Sequence, residues 1–231
     1  MSTFLELCVD LRREGSGVGT GPSDTAAQVG EYGRIVEWIN AAYRAIQRVH
    51  PTWDFLRFEF TFPTVASTGN YTKATIAGTT AGVSELGIWK TDTFRCYLTA
   101  TGITDQQDLE YIPWEQFREC YTRGSLSTQE GRPMFFTVKA DKSVTFWPIP
   151  SAVYTITGEY YKRPQSMAAN DDEPLIPAQY DEAIVWRALM MWGTDEAAPE
   201  KYAKGKEEYA RVMAAMELNL LPQMQYGEPL V

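Results

Sequence analysis

The chain has 231 residues, 44% hydrophobic and 22% charged, a globular composition rather than that of a disordered segment. Its length suits one large domain or two small ones, and buries enough surface to need neither disulfides nor a structural metal. The 30 Asp and Glu outnumber the 21 Lys and Arg, for a formal net charge of −9, which argues against tight grip on nucleic acid or an anionic membrane where no basic cluster occurs.

Phe4, Leu7, Cys8 and Leu11 recur at helical spacing and predict a short amphipathic helix. The first fourteen residues lack the basic and apolar regions of a signal peptide, so the expectation is a soluble protein made in the cytosol. Four glycines and a proline in Gly15–Pro22 are expected to end that helix in a turn. A long helix follows from about Ala26 to Val49, with a stripe of Ile35, Ile39, Ala42, Ile46 and Val49. His50-Pro51 stops it, because the residue before proline leaves the α region.

From Phe55 to about Pro164 the texture turns to Thr, Phe, Tyr, Val and Trp. Phe58, Phe60 and Phe62 alternate with polar residues, as in a half-buried strand. Met134–Lys139 and Val144–Trp147 read as a hairpin across a polar turn, and Val153–Tyr161 as the next strand. Trp114–Tyr121 fits neither period cleanly and admits a single helical turn. Helices resume after Pro177. Ile184, Ala188 and Met191 share one face, flanked by Val185, Leu189 and Trp192. A last helix opens at Pro199, a favourable first-turn position, with Tyr202, Tyr209, Met213, Met216 and Leu220 along one side. The apolar run Ala183–Trp192, broken by Arg187, is far short of the ~20 residues of a membrane span.

The expected class is therefore α+β: a helical bundle from the N- and C-terminal helices with an inserted antiparallel β-sheet domain. Its expected parts are residues 1–53 with 166–221 as the bundle, 54–165 as the insert, and 222–231 as an extended arm. Pro222, Gly227 and Pro229 bar a continued helix there, yet Leu221, Met224, Tyr226, Leu230 and Val231 make the segment more apolar than a solvated tail. Such a segment can lie in a neighbour's groove or extend a sheet edge.

Chemistry-bearing patterns are sparse. Gly15–Pro22 contains no dinucleotide or Walker pattern, for Thr20 stands at the third glycine's place and no lysine follows. His50 is the one histidine, which leaves no histidine-rich metal site. The three cysteines, Cys8, Cys96 and Cys120, share no ligand spacing and read as free buried thiols. Asp171-Asp172-Glu173 matches no calcium loop and reads as a solvated turn. Glu110 and Glu115 are the carboxylates nearest aromatic residues, which with seven tryptophans keeps a carbohydrate-binding or glycosidase-like module as an alternative. No catalytic, cofactor or metal residue is assigned, and no enzymatic activity is expected.

Five motifs in order carry a resemblance. They are Phe4–Gly15, Gly33–Asn40 and Ile46–Trp53 near the start, then Tyr160–Pro164 with Asp171–Pro177, and Tyr180–Ala188. Together they resemble head-to-tail adaptor (connector) proteins of tailed, especially short-tailed, bacteriophages, the tail tubular protein A type among them. The resemblance implies a structural virion protein at the head–tail junction, in a ring of twelve copies between the portal protein and the tail nozzle protein. It also implies a channel through which genomic DNA passes without specific binding. Portal contact is expected from Leu221, Met224, Tyr226, Leu230 and Val231, and the free protein is expected to be monomeric until the portal templates the ring.

Overall fold

The structure, a computed structural model, describes residues 2–16 and 20–222. Two helices open the chain, α1 (Phe4–Ser16) and α2 (Gly30–Val49). The middle holds β1 (Arg57–Pro63), β2 (Asn70–Tyr71), α3 (Lys73–Ala77), β3 (Leu86–Leu98), β4 (Gln107–Asp108), β5 (Glu110–Tyr111) and α4 (Trp114–Tyr121). It continues through β6 (Glu130–Gly131), β7 (Phe135–Val138), β8 (Val144–Trp147), β9 (Ile149–Pro150) and β10 (Tyr154–Lys162). The chain then returns to helix in α5 (Glu182–Asp195) and α6 (Pro199–Leu220). Two compact units result: one takes the chain up to Leu56 and from Pro164 onwards, the other is Arg57–Arg163.

In the helical unit α5 is central, packed by α1, α2 and α6. Ala183, Ile184, Val185, Ala188, Leu189, Met190, Trp192 and Gly193 are all buried, so α5 is apolar nearly all round. Helices from the two ends of the sequence thus share one core, and the α+β expectation holds. Phe4, Leu7, Cys8 and Leu11 of α1 are buried as their spacing requires. So are Ile35, Ile39, Ala42 and Ile46 of α2, whereas Val49 lies past the contact and is 46% exposed.

Helix α2 begins four residues later than the pattern suggests. Asp24 accepts the Ala26 amide at 2.9 Å, and Asn170 accepts both the amide and hydroxyl of Thr25. These local and long-range bonds hold residues 24–28 in a turn, competing with the helix ladder. Gly15 is inside α1 rather than after it. The Trp192 ring occupies the place of its missing side chain, a Cβ there falling 2.2 Å from the ring.

In the middle unit one antiparallel sheet has the order β1-β10-β3-β4, with Phe60 and Phe62 of β1 buried beneath it. The second has the order β2-β8-β7-β5, in which β7 and β8 form the expected hairpin. Two short pairings, β5 with β7 and β6 with β9, are parallel. An aromatic core of Phe60, Phe94, Phe136, Phe146 and Trp89 joins the two larger sheets. Trp114–Tyr121 is a two-turn helix, fixed by Phe117 buried on its inner side.

Candidate functional site

The charge is divided sharply between the units. Arg57–Arg163 contains 11 basic and 11 acidic side chains, so the whole formal charge of −9 belongs to the rest of the chain. An acidic patch lies where α1 meets α5. A cavity of about 200 Å³ there is lined by Leu7, Val185 and Trp186 below and by Asp10, Glu14, Asp181 and Glu182 at the rim. Burial, then the like charges of Glu6, Asp181 and Glu14, push the Asp10 carboxyl above its ordinary range against the pull of Arg13, 2.6 Å away. Glu14 is paired with Lys204 at 2.8 Å. An acidic helical surface of this kind repels a phosphate backbone.

The residues expected to contact the portal begin where α6 ends. Leu221 leaves the helix with extended backbone (φ −97°, ψ 145°) and is half-buried. Met224, Tyr226, Leu230 and Val231 lie outside the described residues. Along α6 the buried face is Gly205, Val212, Met213 and Met216. Tyr202, which the spacing put on that face, is 40% exposed instead.

The remaining candidates are dispersed. His50 caps α2, with Nε2 3.1 Å from Glu217 Oε1 and its ring edge-on to Trp53. Cys8 and Cys96 are buried, and burial pushes their thiols up to about 12 and about 11. Cys120, expected to be buried, is exposed, because Phe117 and not Cys120 takes the inner face of α4. In the acidic run, Asp172 accepts the amides of Ala168 and Ala169, which lower its carboxyl pKa. It closes a turn, as expected. Glu110 on β5 and Glu115 at the start of α4 are both exposed.

Of the tryptophans in the middle unit, Trp89 is in the core. Trp147 packs on Tyr121 and Phe135 and donates to the Leu126 carbonyl at 2.9 Å, while Trp114 packs on Phe117 under Lys139. A cavity of about 460 Å³ on the outer face of the β1-β10-β3-β4 sheet is lined by Thr61, Thr93, Thr157, Glu159 and Arg95. Lys90 pairs with Glu159 and Asp108 with Arg95, while Glu59 also lines the cavity. Among the described residues no group of three or more His, Cys, Asp or Glu is placed to hold a metal, and no helix is long and apolar enough to cross a membrane.

The sequence model of the SU10 adaptor protein family matches residues 2–227. The chain belongs to the SU10 adaptor protein family. No curated protein matches it. The match spans both the helical unit and the middle unit, so the adaptor character applies to the whole chain rather than to one part. The resemblance drawn from the five motifs is borne out. The protein is a structural adaptor of a bacteriophage, a family that works with portal and tail proteins.

Proposed function

We propose that this adaptor forms a ring between the portal and the tail nozzle, twelve copies in the virion, with a channel for DNA. The family match over nearly the full chain carries this reading. The charge division supports it: the helical unit holds the entire −9, and a like-charged surface lets DNA slide rather than adhere. A ring needs a heterologous interface that closes by rotation, and the three helices packed around α5 give each copy a body to build it from. Leu221, Met224, Tyr226, Leu230 and Val231 contribute the portal contact. The ring assembles on the portal after synthesis in the host cytoplasm, and the structure performs no catalysis.

The test is a phage lacking this chain, together with the purified chain mixed with purified portal. DNA-filled heads without tails, and a portal–adaptor complex of fixed stoichiometry, are expected. Normal tailed particles in its absence would refute the reading.

A further inference from the structure

The cavity of about 460 Å³ on the outer face of the β1-β10-β3-β4 sheet is a trough that strand β3 makes. Residues 91–94 of β3 stand opposite the single Gly158 of β10, so the strand arches away from its neighbour. Thr93 ties the arch, its hydroxyl donating to the Lys90 carbonyl at 2.8 Å and accepting the Glu159 amide at 2.9 Å. Thr80, bonded to Thr61, stands on the β1 side of the trough. Ile103 and Gln106, just before β4, stand on the other.

A like-charged pair lies in this trough. Glu59 of β1 and Glu159 of β10 are directly opposite in the ladder and both line the cavity. Carboxylates so placed repel, with Cβ atoms ~5 Å apart. Lys90 answers one of them, donating to Glu159 Oε2 at 3.0 Å. The Glu59 carboxylate has no ion pair or hydrogen bond among the described residues. The donors around the pair are already committed. Thr80 spends its hydroxyl proton on the Thr61 carbonyl at 2.7 Å, as Thr93 does on that of Lys90. Gln106 Nε2 donates to Thr157 Oγ1 at 3.3 Å, and Arg95 Nε to Asp108 at 3.0 Å. What the trough presents is therefore acceptors: both oxygens of Glu59, the second oxygen of Glu159, and threonine lone pairs.

Such a surface repels phosphate and fits a positive group that only donates. Arginine meets this better than lysine, because its planar fork of N–H groups can span two neighbouring carboxylates while an ammonium is a point charge. Ile103, 70% exposed at the rim, gives its aliphatic stem an apolar rest. We infer that the trough receives an arginine side chain of a partner protein, its guanidinium bridging Glu59 and Glu159. Arginines of this chain such as Arg34, Arg123, Arg132, Arg163 and Arg211 are held in ion pairs of their own, which points to another protein rather than to a second copy. The adaptor reading enters only in making that partner a portal or tail protein.

The test uses the full chain. Its amide NMR spectrum is titrated with N-acetylarginine methylamide and with the lysine and citrulline equivalents. The arginine compound is expected to shift the amides of Glu59, Thr61, Thr157 and Glu159 with saturation, the lysine compound to bind more weakly, and the uncharged citrulline compound to shift nothing. Glu59→Gln is expected to weaken arginine binding about tenfold, the worth of a charge-assisted hydrogen bond, with Tm unchanged or raised because the repulsion from Glu159 is gone. No saturable shift, equal binding of lysine or citrulline, or indifference to Glu59→Gln overturns the inference. With purified portal and tail nozzle proteins, Glu59→Gln is expected to weaken one of the two complexes by a similar factor, and blocking that partner's arginines with phenylglyoxal to weaken it likewise. Two complexes indifferent to Glu59→Gln overturn the inference and leave the adaptor role standing. A parent chain that binds neither protein counts against the adaptor reading, and the titration still decides the trough.

Discussion

Gly205 sits mid-way along α6, where a glycine costs about 1 kcal/mol relative to alanine. On propensity alone Gly205→Ala is therefore stabilising. The structure reverses the sign. A Cβ on Gly205 falls 2.9 Å from the Trp186 carbonyl oxygen, 3.1 Å from the Met190 amide nitrogen and 3.1 Å from Met190 Cγ. Two of these atoms are backbone of α5, itself buried nearly all round, so α5 cannot retreat without disturbing its contacts with α1 and α2. Overpacking costs about 1–3 kcal/mol; backbone atoms, which cannot rotate away, put it here at about 2–3 kcal/mol, and less the propensity gain of about 1 kcal/mol the substitution is expected to destabilise by about 1–2 kcal/mol. For a chain of this size that is a fall in Tm of about 2–8 °C. Thermal and urea unfolding followed by circular dichroism measures it. Ala210→Gly, at an exposed site on the same helix, is the control and reports propensity alone. A Gly205→Ala protein as stable as the parent, or more so, would refute the close α5–α6 contact.

Trp192→Ala is expected to cost about 3–5 kcal/mol in the same assay, since the ring is 1% exposed, stacks on Trp38 and fills the place left by Gly15. Native thiol labelling of the free protein, read by mass spectrometry, is expected to modify Cys120 alone, with Cys8 and Cys96 reacting only after unfolding. Asp172→Asn is expected to destabilise near neutral pH by removing the carboxylate that takes two amides. Because the folded pKa of Asp172 is lowered, its contribution is present above the ordinary carboxylate range and is lost as pH falls through the folded value; the variant and parent should then converge in acid. Arg132→Lys is expected to lower Tm, for lysine cannot reproduce the fork that grips both Asp105 carboxylate oxygens and the Cys96 carbonyl.

Features set by local chemistry were legible in the sequence. The face of α1, the alternation of β1, the β7–β8 hairpin and the Pro199 start of α6 each depend on residues within a turn or a strand of one another. The start of α2 was not legible, because Asn170, far along the chain, holds Thr25 out of the helix. The roles of Gly15 and Gly205 were hidden for the same reason: each is defined by what lies opposite, the Trp192 ring in one case and the α5 backbone in the other. Val49 obeyed the helical period but lies exposed at the end of α2, and Tyr202 sets its backbone rather than its ring against Gly193 of α5. The charge division could be counted from the sequence once the units were known. The apolar pattern of residues 221–231 was visible from the start.

The central claim is that the chain is a ring at the head–tail junction. Cryogenic electron imaging of intact virions tests it most directly. The account requires density directly below the portal into which copies of the helical unit and of the middle unit fit as separate bodies, related by the rotational symmetry of a closed ring around the DNA path. A junction whose density accepts neither unit, or particles in which the chain is absent or present in a single copy, would contradict it.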